Sequence, residues 1–234
     1  MTFSIAARDE ESGAFGLAIT TSSLAVGSRC TFAEAHVGAV LTQHRTDPRI
    51  GPKALELLRS SLDAEQALAE ITHDDSGIEW RQIALLDNEG KSAAFHGDKI
   101  YSWHGHAAVE GAIALGNILR SETLVDQMLD AYLEAGDLAF EDRLLGALSA
   151  GLEAGGELMP LRSAALLVVK DDSFPWIDLR VDRAGEPIAE LGSLLEEYRS
   201  VPDGFHRRVL EPETIPDDEK LVALHQSLLE NQRQ

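Results

Sequence analysis

The chain has 234 residues, 44% of them hydrophobic, a formal net charge of −20 and one cysteine, Cys30. That length and apolar content support a buried core, while the acidic balance excludes nucleic acid and anionic membranes as partners, because phosphate binding needs clustered Lys and Arg. A single cysteine closes no intrachain disulfide, no apolar run approaches the ~20 residues of a membrane span, and no basic-then-apolar leader opens the chain, so the expectation is a cytoplasmic protein with one domain over 1–199 and a tail over 200–234.

Thr2–Arg8 alternates, with Phe3, Ile5 and Ala7 on one face and Thr2, Ser4 and Ala6 on the other. After the turn at Asp9–Gly13, Ala14–Thr21 resumes with Phe15, Leu17 and Ile19, which predicts a hairpin at the very start of the chain. The hydroxyl residues Thr20–Ser23 close its second strand, and Val37–Gln43 reads as a third. Pro52 suits the first turn of a helix burying Leu55, Leu57 and Leu58, and Ser61 or Asp63 can cap the next, Ala64–Ile71. Arg81–Leu86 and Lys91–Phe95 form a second hairpin around Asp87–Gly90. A short apolar run, Ala112–Leu115, stops at Gly116-Asn117. Helical periodicity returns in Thr123–Glu134 and Glu141–Glu153. Ser163–Lys170 and Trp176–Asp182 read as paired strands, followed by a helix at Ile188–Tyr198. The proline-bearing stretch 200–217 reads as an extended strap before a terminal helix at about 218–231. Strand runs and helix runs are segregated. The expected class is α+β, with two sheets covered by outer helices in a four-layer αββα sandwich.

The chemistry begins at Thr2. If Met1 is removed, one residue carries both a hydroxyl nucleophile and an α-amine with an ordinary pKa of about 7.7–8.0, able to take the hydroxyl proton near neutrality. The alternative is a β-branched residue that starts a strand. Ser22 and Ser23 either orient Thr2 or end a strand. Gln43 and Asn117, the latter beside Gly116, are strand-end amides suited to an oxyanion or a substrate carboxylate, or to capping a turn. Lys and Arg balance the acids over residues 1–60, so the negative excess falls in 61–234, and residues 29–53 turn slightly positive. Within that stretch Arg29 and Arg45 suit an anion site, Arg29 above all because a guanidinium grips a carboxylate with two prongs. A surface salt bridge is the alternative. His104-Gly105-His106 has an i,i+2 spacing, yet no carboxylate or cysteine stands at a supporting distance, so neither a metal nor a cofactor is expected. Cys30 lacks a paired histidine and reads as buried.

Beside these readings stands an ordered series of segments: TFSIAARD at the start, SSLAVGSRC from Ser22, VGAVLTQ followed by TDPRIGP, the hairpin RQIALLD and SAAFHGD, GNIL at 116–119, SAALLVV at 163–169 and IDLRVD at 177–182. Through them the chain resembles, over residues 2 to about 198, the Ntn-hydrolase-like proteins (N-terminal-nucleophile fold) of a widely distributed family of unknown function. The resemblance implies an αββα fold with Thr2, freed of Met1, at the end of a central strand facing a cleft, and amide cleavage through an acyl-enzyme. The chain departs from the family in two places. Some members carry a lysine where it has Thr21-Ser22-Ser23, and relatives tend to have an Asp and a more polar run where it has Gly155–Arg162. The expected function is an amidohydrolase acting on a small anionic substrate. The rival is a non-catalytic binding or scaffold protein that keeps the fold. The apolar residues of the terminal segment (Leu221, Val222, Leu224, Leu228, Leu229) suit docking in a homodimer.

Overall fold

Strand β1 (Thr2–Arg8) lies between β2 (Phe15–Thr21) and β8 (Ala112–Leu119), antiparallel to both, so the first residues of the chain occupy the middle of a sheet. The computed structural model describes residues 1–216, 221–223 and 225–227. It contains a six-stranded sheet of order β10-β9-β2-β1-β8-β7 and a four-stranded sheet of order β3-β4-β5-β6, with every pairing antiparallel. The remaining strands are β3 (Thr31–Glu34), β4 (Gly38–Gln43), β5 (Gln82–Asp87), β6 (Ser92–His96), β7 (Trp103–Val109), β9 (Ser163–Val169) and β10 (Ile177–Val181). The helices are α1 (Ile50–Arg59), α2 (Ala64–Asp74), α3 (Leu124–Glu134), α4 (Phe140–Glu153), α5 (Pro187–Tyr198) and α6 (Pro202–Leu210).

The alternation of β1 divides two cores. Its small residue Ala6 joins Leu17, Ile19, Leu41, Ala84 and Leu86 in a cluster drawn from both sheets, and Ser4 Oγ donates to Gln43 Oε1 across them at 3.0 Å. The larger Phe3 faces the helices: a Cβ at Gly151 of α4 would lie 2.9 Å from Phe3 Cε2 and 3.0 Å from Met128 of α3. Small side chains on one face let the sheets approach, and large ones on the other fill the space beneath the helices. A second cluster seats α1 and α2 on the small sheet through Ala54, Leu58, Leu68 and Ile71 against Val40, Ile83 and Leu85. Asp63 caps α2 in a capping box with Gln66.

Four segments differ from expectation. Strand β8 does not stop at Leu115 but runs through Gly116-Asn117 to Leu119, because its backbone is paired on both sides, and a Cβ at Gly116 would lie 2.9 Å from Leu119 and 3.3 Å from Phe3. The edge strands β3 and β7 carry no apolar alternation to announce them. The stretch 200–217 is not an extended strap: Pro202 opens helix α6, whose first turn needs no proline N–H. Of the expected terminal helix at 218–231, residues 221–223 and 225–227 are helical and the other positions lie outside the described residues. The chain divides into two units, Met1–Glu196 and Glu197–Gln234. In the second, the Tyr198 and Phe205 rings meet at a 31° tilt with centroids 6.1 Å apart. No helix among the described residues is long and apolar enough to cross a membrane.

Candidate active site at the start of β1

A cavity of about 350 Å³ opens where β1 begins, and Thr2 and Thr21 stand on its wall beside Met1. The hydroxyls of both threonines donate to the Met1 carbonyl, Thr2 at 2.5 Å, and lie 3.3 Å apart. Antiparallel pairing across β1 and β2 fixes that neighbourhood, since Phe3 lies opposite Thr20. Arg29, Arg45, Tyr101, His44, Cys30, Thr46, Ser23 and Ile118 complete the lining, which includes no acidic residue. In a chain of net charge −20 this is a locally cationic hollow. A larger cavity of about 640 Å³ lies between β3 and the β9–β10 loop, away from all of these groups.

The arginines are held from behind. Arg29 Nη1 donates to the carbonyls of Leu24 and Ala25 at 2.6 and 2.7 Å while the residue lines the cavity. The Arg45 guanidinium stacks 3.5 Å over the Trp80 ring, and Arg81 holds its carbonyl. Asp47, gripped by Arg49 and by Arg81, has its carboxyl pulled down to about 2, so this acid is spent on its own salt bridges.

Asn117 stands opposite Thr2 in the β1–β8 ladder, fully buried. Its Nδ2 donates to Gln82 Oε1 at 2.8 Å, and its Oδ1 has no partner among the described residues. Gln43 meets Asn117 only through Gln82: Gln43 Nε2 donates to the same Oε1 at 2.6 Å. Gln82 Nε2 in turn donates to the Gly116 carbonyl at 2.7 Å and to His96 Nδ1 at 2.9 Å. Gln82 therefore uses both amide ends fully. Since His96 Nδ1 accepts, its Nε2 carries the proton and donates to His106 Nδ1 at 2.9 Å. His106 is thus the outer end of a polar chain on edge strand β7, while His104 Nδ1 bonds the Ser102 carbonyl at 2.9 Å.

Of the residues singled out in the sequence, the structure brings Thr2, Ser23, Arg29 and Arg45 to one cavity. Asn117 and Gly116 lie just behind Thr2, and Gln43 a layer deeper. Ser22 stands against Glu157: its N–H donates to Glu157 Oε2 at 3.1 Å, and its side chain also helps hold that carboxyl in its charged form. Sequence reasoning missed Glu157, Thr21, Tyr101 and Gln82. Glu157 is 3% exposed, its Oε1 is without a partner among the described residues, and burial pushes its carboxyl up to about 7. The signal for it was the Gly155-Gly156 pair. Both glycines have positive φ, 117° and 62°, and close α4 so that the next residue turns back beneath β8. Two non-glycine lining residues also have left-handed backbones, His44 at φ 53° and Ile118 at φ 57°, a conformation costly above all for β-branched isoleucine.

The model of a family of unknown function, DUF1028, matches residues 2–191. The chain belongs to that family. A crystal structure of a DUF1028 protein from Silicibacter pomeroyi is 37% identical, with a TM-score of 0.78 over 84% of this chain and 88% of that one. The Anbu (ancestral β-subunit) protein of Yersinia bercovieri aligns over 93% of this chain and 99% of its own, but at 11% identity and a TM-score of 0.38, below the level at which two folds are the same. No curated protein matches the chain.

Proposed function

We propose that this DUF1028 protein is an amidohydrolase of N-terminal-nucleophile type, with its layers forming an αββα sandwich and Thr2, once Met1 is removed, cleaving a small anionic amide or related C–N bond. The observation that carries the reading is the Thr2 hydroxyl, seated 3.3 Å from Thr21 on the wall of a cavity that offers Arg29 and Arg45 and no acid. The Thr2 amine takes the Oγ1 proton as Oγ1 attacks the carbonyl. Asn117 Nδ2, oriented through Gln82 by Gln43, has a second proton for the oxyanion; the protonated amine gives its proton to the departing nitrogen as the C–N bond breaks, and water then releases the acyl group. Base action accounts for about 10²–10⁴-fold and each oxyanion donor for about 10²–10³-fold. Arg29 anchors the substrate carboxylate, with Arg45 and Ser23 beside it.

A second reading is favoured by the Met1 carbonyl, which already occupies both threonine hydroxyls. With Met1 retained, the protein binds small anions and cleaves none. One experiment separates the two: protein shown by intact mass to lack Met1 is screened against carboxylate-bearing small amides and ureido acids, beside Met1-retaining protein and Thr2→Ala. Hydrolysis by the Met1-free form alone supports the enzyme. Equal hydrolysis by all three removes Thr2 from the chemistry.

A further inference from the structure

Strand β1 ends in a slot with an acid at its far side. Its neighbours outrun it: β8 continues past Asn117 to Leu119, and the chain after β2 continues into Ser22. Any α-amine at the head of β1 enters the gap between them. Glu157 closes that gap, its backbone bridging Leu119 and its Oε2 accepting the Ser22 N–H, while its buried Oε1 has no partner among the described residues. The adjacent Arg120 does not neutralise it, because its Nε and Nη2 donate to the carbonyls of Glu157 and Leu158.

A carboxylate this deep keeps its charge through hydrogen bonds, here from Ser22, and through a nearby cation. The α-amine supplies that charge. In the chain with Met1 in place the amine in that gap is Met1's: burial lowers its affinity for a proton while Glu157 raises it, and it in turn opposes the upward push that burial gives Glu157. Two other titratable groups face the amine, Cys30 and His44. Burial raises the thiol and lowers the imidazole, so both are neutral near pH 7 and neither competes for the role.

We propose that Glu157 is the proton partner and positioning residue of the chain's α-amine, Oε1 taking the ammonium proton so that the amine faces the Thr2 hydroxyl as the free base. The step balances internally: Thr2 ammonium and Glu157 carboxylate become Thr2 amine and Glu157 carboxylic acid. The amine then receives the Oγ1 proton as the Oγ1–carbon bond forms and the carbonyl π pair passes to oxygen. The catalytic consequence rests on the Thr2 reading above, whereas the pairing of Glu157 with the amine does not.

The test tracks the amine directly. Met1-free protein is labelled with trace acetic anhydride across pH and the acetylated N-terminal peptide is quantified by mass spectrometry. Glu157→Gln keeps the side-chain shape but loses the charge, and moves the labelling midpoint down by about one pH unit or more. An unmoved midpoint overturns the proposal. A wild-type measurement guards against a variant that fails to fold: in protein carrying ¹³C-carboxyl glutamate, a resonance titrating near pH 7 changes midpoint once the α-amine is acetylated, and the absence of any such resonance also overturns the proposal. Neither readout needs a substrate, so failure of the hydrolase reading leaves them interpretable. Where hydrolysis is found, Glu157→Gln lowers kcat by about 10²-fold with KM little changed, and the acid limb of kcat/KM moves to lower pH.

Discussion

Thr2→Ala in the Met1-free protein abolishes hydrolysis, measured on the amide panel, while thermal unfolding stays within a few degrees, because the hydroxyl makes contacts only at the cavity wall. Wild-type turnover in that variant ends the nucleophile reading. Arg29→Lys keeps a charge but not the forked geometry, and it gives up the ties to the Leu24 and Ala25 carbonyls. The expected signature is a raised KM with kcat nearly intact, and an unchanged KM assigns Arg29 to the loop alone. At this scale the sequence was legible where chemistry and position coincide: Thr2 heads the chain, and Arg29 and Arg45 flank β3 and β4. It was illegible where a partner arrives from far along the chain. Glu157 meets Ser22 from 135 positions further along the sequence, and the local Gly155-Gly156 pair marks a turn but not the burial of the carboxylate that follows it. Gln82 reads as an ordinary strand residue until Gln43, Asn117 and His96 are seen to converge on it.

The elements were mostly readable because their periods are strong, and they failed where burial, not pattern, decides. Strand β8 continues through Gly116-Asn117 since sheet pairing outweighs two residues that normally break strands. Its neighbour β7 has the opposite trouble, an edge strand whose exposed His-Gly-His carries no apolar face. Packing between elements makes a sharp prediction at Gly16 of β2, where a Cβ would lie 2.4 Å from Leu144 and 2.7 Å from Phe140 of α4. Gly16→Ala makes the Leu144 and Phe140 side chains of α4 give way, at about 1–3 kcal/mol, read as a lower urea midpoint with unchanged slope; a midpoint equal to wild type means these side chains shift freely. The β6–β7 contact predicts a pH effect. Burial, with His106 and His104 beside it, holds His96 down to about 4, whereas the unfolded chain protonates it near 6.5. A depressed folded value means its contribution is present above pH 6.5 and is lost as pH falls toward 4. His96→Gln, which does not titrate, flattens stability against pH across that window. Parallel wild-type and variant curves in urea melts from pH 7 to pH 4 place His96 outside the acid response.

For the molecule as a whole, the distribution of burial divides the folded core from the C-terminal unit. Among the described residues no buried hydrophobic side chain lies beyond Leu195, and α6 buries none of its residues. Phe205, Val209 and Leu210 are 46%, 58% and 53% exposed. The cavity, both sheets and the polar chain from Asn117 to His106 fall within Met1–Glu196. A chain ending after Arg199, which keeps α5 whole, is expected to fold with the same urea midpoint and slope as the full protein, because both report apolar area buried on folding and, among the described residues, that area is retained. Removing the second unit also leaves KM and kcat unchanged for any substrate the Met1-free protein cleaves. The decisive measurement is a pair of urea melts at equal concentration over a tenfold dilution series. A midpoint that falls in the shortened chain, or that depends on concentration in the full chain only, shows that residues 200–234 bury apolar surface on folding or on a second copy, and the core then extends beyond α5.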